Sequence, residues 1–297
     1  MSSLNQSTIY YMSVSIVSLM SSFVKQFTVL YVNMIKYIQK IINDFRYMHP
    51  LEYRGVKLNT PYFHLWFALK FIYLAPKWRN WVNELLAENV MKLHSFTVTD
   101  VNFFGPASPE RLGFLKGFAE VYEMDNVTPI PSNIVYIRGQ SEACLVIVTI
   151  DSEVVTCSKK VVMVEQLRVP SGGRRIEAVA GMMDASTGAF KGPILTELEQ
   201  EMGLVIKEND PNLQLLPGMS WPSPGGCDEK IREWVYTGTI SEEKYLEMIT
   251  KEYGEGSHEK IKLRFYDFDT FDNVLDEIGD YKASSMWRKW SKILRNS

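Results

Sequence analysis

Ala180-Gly181-Met182-Met183-Asp184, and a little further on Gly192-Pro193-Ile194-Leu195-Thr196-Glu197-Leu198-Glu199-Gln200-Glu201-Met202-Gly203-Leu204, is the stretch whose reading decides the fold. Pro193 stands where a helix begins, because its missing N–H costs nothing at the first helical position. Gly203 stands where that helix stops, since glycine takes the left-handed conformation that closes a C-terminus. Between them Glu197 and Glu201 are spaced i and i+4, so both carboxylates leave one helix face a turn apart, while Glu199 faces elsewhere. Two stacked carboxylates after a glycine loop suit Mg2+, which takes oxygen ligands and keeps waters for a phosphate. Such a pair alone is a weak sign, because solvated helix faces carry them often. The flanking Gly181 and Gly203 narrow the reading.

Outward from this helix the texture is that of an α/β domain. Runs at 134–137, 143–150 and 161–169 are short, β-branched and separated by polar turns. Pro170-Ser171-Gly172-Gly173 is a turn, and Arg175 to Ala180 leads into Gly181. Further strands are expected at 214–217, 234–238 and 260–266, and a basic amphipathic helix at 287–294. Mixed strands with helices on both sides form the expected architecture.

The first hundred residues read differently. No charged residue occurs before Lys25, and the first acid is Asp44. Ile9, Met12, Ile16, Met20, Phe23, Phe27, Leu30, Met34, Ile38, Ile41 and Phe45 recur at helical steps and predict one long helix. Its uncharged part spans ~24 Å, short of a ~30 Å hydrocarbon core. A membrane crossing completed by a snorkelling Lys25, an interfacial helix, a helix docked on partner proteins and one packed on its own domain are the open readings. An acid-poor, Ser-rich start also resembles an organellar targeting segment. The aromatic stretch 61–88 suits a membrane interface, a protein interface or a buried core helix. We therefore expect a largely helical extension over 1–100 and the α/β domain over 101–297.

Composition closes off other classes. A net charge of −3 gives no basic field for nucleic acid, although Trp287 and Trp290 on the basic C-terminal helix suit phosphate contact or a protein interface. Cys144, Cys157 and Cys227 are widely spaced and odd in number, which points to neither a disulfide framework nor a structural zinc site.

The run from Val101 to Ser291 resembles the Nudix hydrolases of the ADP-sugar diphosphatase type, particularly their plant-like subgroup. Gly113-Phe114-Leu115-Lys116, Ile137-Arg138-Gly139, Val164 to Pro170, Glu177 to Asp184, Gly188 to Gly192 and Pro222 to Glu229 carry the resemblance. It implies the α/β Nudix fold, a mixed sheet sandwiched by helices, and residue roles. Glu197, Glu201 and the Ala180 carbonyl fall on metal ligands, and Gln200 on a third, normally acidic one. Thr196 falls on the arginine that braces the box. Arg168 matches a residue near the substrate's phosphate or ribose, Glu177 one near the base, and Glu229 an acid near the metals. Glu259, then Glu255, is the candidate base that activates water.

Two functions follow from the resemblance and its departures. An amide at 200 weakens attraction for a divalent cation, and threonine at 196 removes a group that orients ligands. The first expectation is thus a Nudix protein with weakened or lost activity, an accessory subunit of a membrane-associated, mitochondrial assembly. The second is a Mg2+-dependent hydrolase of ADP-ribose or ADP-glucose, cytoplasmic if the N-terminal segment addresses no organelle.

Overall fold

The computed structural model describes residues 24–37, 50–131, 133–152, 158–183, 192–207, 209–254 and 260–296. The chain divides into two compact units, Met1–Pro50 and Leu51–Ser297. In the first, residues 24–37 form helix α1, and its side chains, among them Phe27, Leu30 and Met34, are exposed. The rest of the long helix expected from Ile9 to Phe45 lies outside the described residues. No helix among the described residues is long and apolar enough to cross a membrane.

The second unit opens with strands β1 (Leu51–Tyr53) and β2 (Val56–Asn59), helices α2 (Phe63–Leu74) and α3 (Pro76–Glu88), and strands β3 (Lys92–Phe103), β4 (Leu112–Tyr122) and β5 (Ile134–Ile137). The five strands form one sheet in sequence order, with only β2 and β3 parallel. This corrects the expected division. Residue 100 lies within β3, whose Asp100 faces Lys116 of β4, and residues 51–100 supply three strands as well as two helices. The aromatic run was read without its strand partners. Most of it packs on this sheet, with Leu65, Leu69, Ile72, Trp78, Trp81 and Val82 buried against Phe96, Leu115 and Ile137. Tyr62, Phe63 and Phe67 stay exposed. Gly117 allows β3 and β4 to meet, since a Cβ there would stand 2.4 Å from the Thr97 carbonyl.

The second sheet is built on β6 (Ser141–Asp151), β7 (Ser158–Arg168), β8 (Gly173–Glu177), β9 (Val179–Met182), β10 (Leu213–Ser220), β11 (Ile231–Ser241) and β12 (Lys262–Asp267). The order is β10-β11-β6-β7-β12, with β8 on β7 and β9 on β6. Only β6 and β11 run parallel. β6 is apolar along most of its length because both faces are covered. Cys144, Val146 and Val148 meet Ile194, Leu198 and Met202 of α4 (Gly192–Met202) and Met248 of α5 (Glu242–Thr250). On the other face Ala143, Leu145 and Ile147 meet Phe271 and Leu275 of α6 (Phe271–Ile278) and Met286, Trp287 and Trp290 of α7 (Tyr281–Asn296). The two C-terminal tryptophans are thus core residues, which withdraws them from any phosphate-contacting surface.

Candidate active site

The helix α4 ends as its sequence requires. Gly203 has φ +65°, its N–H donates to the Glu199 carbonyl at 2.9 Å, and the Leu204 N–H donates to the Leu198 carbonyl at 3.0 Å. The first of these, from a glycine in the left-handed conformation to the carbonyl four residues back, is the bond of an αL cap. Burial of Ile194, Leu198 and Met202 fixes the rotation of the helix, each such side chain being worth about 1.5–3 kcal/mol. That rotation turns Glu201 inward, to 5% exposure, and leaves Glu197 half-buried, with Thr196, Glu199 and Gln200 exposed.

Opposite the helix, β9 presents Ala180 and Gly181, paired with Ala143 and Glu142 of β6. Glu197 lies so close over Gly181 that a Cβ there would stand 2.1 Å from Oε1. The strand and helix therefore bring Gly181 and Glu197 together. The Met183 N–H donates to the Gln140 carbonyl at 3.0 Å, fixing the end of β9. Glu142 is fully buried on β6, with Arg232 Nη1 3.9 Å away. Burial raises its pKa, while Trp234 and Arg232 act in the opposite sense.

A second group sits where β7, β8 and α7 meet. Arg168 grips Glu177 with two nitrogens, Nε at 3.1 Å from Oε1 and Nη2 at 2.9 Å from Oε2. Lys282 Nζ stands 3.5 Å from the same Oε2 and 3.0 Å from Asp280 Oδ1. Burial alone would raise the Glu177 pKa, but the Arg168 hydrogen bonds and the Lys282 charge outweigh it and hold the carboxyl below its usual range. Glu177 is therefore an anion at neutral pH.

The third group is the turn after Trp221. Tyr136 N–H donates to the Gly226 carbonyl at 2.8 Å, seating the turn on β5. Asp228 accepts the N–H groups of Arg138 and Gly139 at 2.7 and 3.0 Å. Burial raises its pKa despite these bonds. Glu229 accepts the Ser141 hydroxyl at 2.9 Å and lies 3.3 Å from Arg138 Nε. Ser141 in turn pairs with Met182 across β6 and β9, so Glu229 borders the end of the box strand.

Glu255 and Glu259 lie outside the described residues. Just before them, the Gly254 N–H donates to the Gln200 carbonyl at 3.3 Å, and Tyr253 forms a bridge with Ile261. Among the described residues no group of three or more His, Cys, Asp or Glu forms a metal cluster.

One curated protein, Nudix hydrolase 14, chloroplastic, from Arabidopsis thaliana, is 34% identical over 199 residues. Over that stretch the chain is similar to a Nudix hydrolase. The match covers 63% of this chain and 61% of that Nudix protein's length. No family model matches the chain. A solved structure described as an ADP compounds hydrolase aligns over 68% of this chain and 96% of its own, at 15% identity and a TM-score of 0.40. In this chain a mixed sheet lies between two helical layers, with α4 and α5 on one face and α6 and α7 on the other.

Sequence reading missed Arg138, Ser141, Asp280 and Lys282. An Asp before a helix is a recognisable N-cap signal, but nothing in the sequence joins it to Glu177 a hundred residues away.

Proposed function

We propose that this chain is a Mg2+-dependent hydrolase of nucleoside diphosphates linked to a sugar, of the ADP-ribose or ADP-glucose kind, with an attenuated metal centre. The observation that carries the reading is the split on α4: both retained glutamates are on the partly or fully buried flank, whereas Thr196 and Gln200 are on exposed positions. Glu197, Glu201 and the Ala180 carbonyl would hold the ion, a donor set of hard oxygens that fits Mg2+. When bound, such an ion polarises phosphoryl oxygens and acidifies water. Arg168 binds phosphate through a planar fork of donors, and Glu177 holds that fork in place. A carboxylate from the 255–259 loop takes the proton of the attacking water.

Attenuation is testable by repair. Thr196→Arg with Gln200→Glu returns one charge to the ligand set and one brace to the helix. The double variant is expected to raise turnover of ADP-ribose about tenfold or more at limiting Mg2+. A rate equal to that of the wild type would show that neither position limits the reaction.

A second reading rests on α1, an exposed and largely apolar helix. It suits an accessory subunit without turnover, held in a membrane-associated, mitochondrial assembly. Protein that stays monomeric and soluble, and does not pellet with membranes, would end that reading.

A further inference from the structure

We infer that Lys282 and Asp280, at the start of α7, are positioning residues that release Arg168 for the substrate's phosphate; the inference rests on the hydrolase reading above. Arg168 and Glu177 are joined by charge-assisted bonds to two nitrogens, the strong kind of side-chain pair. A guanidinium held that firmly turns to a phosphate only if Glu177 keeps another cation. Lys282 is that cation, 3.5 Å from Glu177 Oε2, with its side chain 19% exposed. Arg168 is 40% exposed, so an anion arriving from solvent can reach it.

Asp280 places the lysine. Its Oδ1 lies 3.0 Å from Lys282 Nζ. Its Oδ2 accepts the Ala283 N–H at 3.1 Å, capping α7, and the Ala178 N–H at 2.9 Å, between β8 and β9. One carboxylate thereby ties the helix start to the strand that carries Ala180. As phosphate binds, Arg168 swings onto it and Lys282 retains the charge of Glu177.

The test is steady-state hydrolysis of ADP-ribose with Mg2+ by the full chain, its Lys282→Ala and its Lys282→Arg. The alanine variant is expected to raise KM about tenfold with a much smaller change in kcat, and arginine to restore KM to within about threefold. Thermal melting should be nearly the same for all three. An unchanged KM in an active Lys282→Ala protein overturns the inference and leaves the hydrolase reading standing. So does a parallel fall of kcat and melting temperature, which marks a structural lysine. Wild-type protein that neither hydrolyses nor binds ADP-ribose overturns both.

Discussion

On the proposed hydrolase reading, Glu201→Gln is expected to lower the hydrolysis of ADP-ribose by about a hundredfold or more while the protein stays folded. The reason is charge in a buried place. Glu201 is 5% exposed on α4, one turn beyond Glu197. The proposed ligand set has an amide at Gln200 and would depend on the two carboxylates that remain. Removing a second negative charge near a divalent ion forfeits several kcal/mol of the stabilisation it gives to developing phosphoryl charge, and each 1.4 kcal/mol is about tenfold in rate. The amide keeps the volume, so the packing of α4 is preserved. Measuring kcat against Mg2+ concentration, beside circular dichroism, checks this. Turnover by Glu201→Gln at the wild-type rate would remove Glu201 from the site.

Gly181→Ala is expected to silence the site by shape alone. The added Cβ would stand 2.1 Å from Glu197 Oε1 and 2.5 Å from its Cδ, both far below contact distance. The atoms it meets belong to the end of a flexible side chain and not to backbone. Glu197 yields by changing rotamer, at a cost of about 0.5–1.5 kcal/mol, and its carboxylate leaves the ligand position. The expected outcome is a loss of turnover of about a hundredfold with only a small change in the denaturation midpoint. A fall in stability beyond about 3 kcal/mol would mean that the strand itself had been displaced, and full activity would mean that Glu197 is no ligand.

Much of this was legible in the sequence. Pro193, Gly203 and the i, i+4 glutamates gave the helix, its end and its functional face, because capping and periodicity act over a few residues. The strands at β5, β6, β7, β10, β11 and β12 were visible for the same reason, whereas β8 and β9 were not singled out as strands. The N-terminal sheet was not. Lys92–Phe103 and Leu112–Tyr122 alternate buried and exposed positions, but Gly113 and Gly117 interrupt the pattern of β4, and aromatic residues before it drew attention to helices. Within the site, Arg168 and Glu177 were named through the family resemblance, and their pairing follows from the β7–β8 hairpin. Lys282 and Asp280 were not, because their partners are fixed only when α7 packs on the sheet through Met286, Trp287 and Trp290.

The parallel pairing of β6 with β11 bears on the order in which the molecule is made. Ser141 aligns with Ile231, and Asp151 with Ser241, across ninety intervening positions. Closing so long a segment costs chain entropy before any contact repays it, and parallel non-local pairing is slow for that reason. The hairpin of β7 with β8 and the pairing of β6 with β7 are local and close early. Pulsed hydrogen exchange should accordingly find the amides between β6 and β7 protected before those of β11. Glu229, which precedes β11 and bonds Ser141 beside Met182, then reaches the end of β9 only after β6 and β7 have paired.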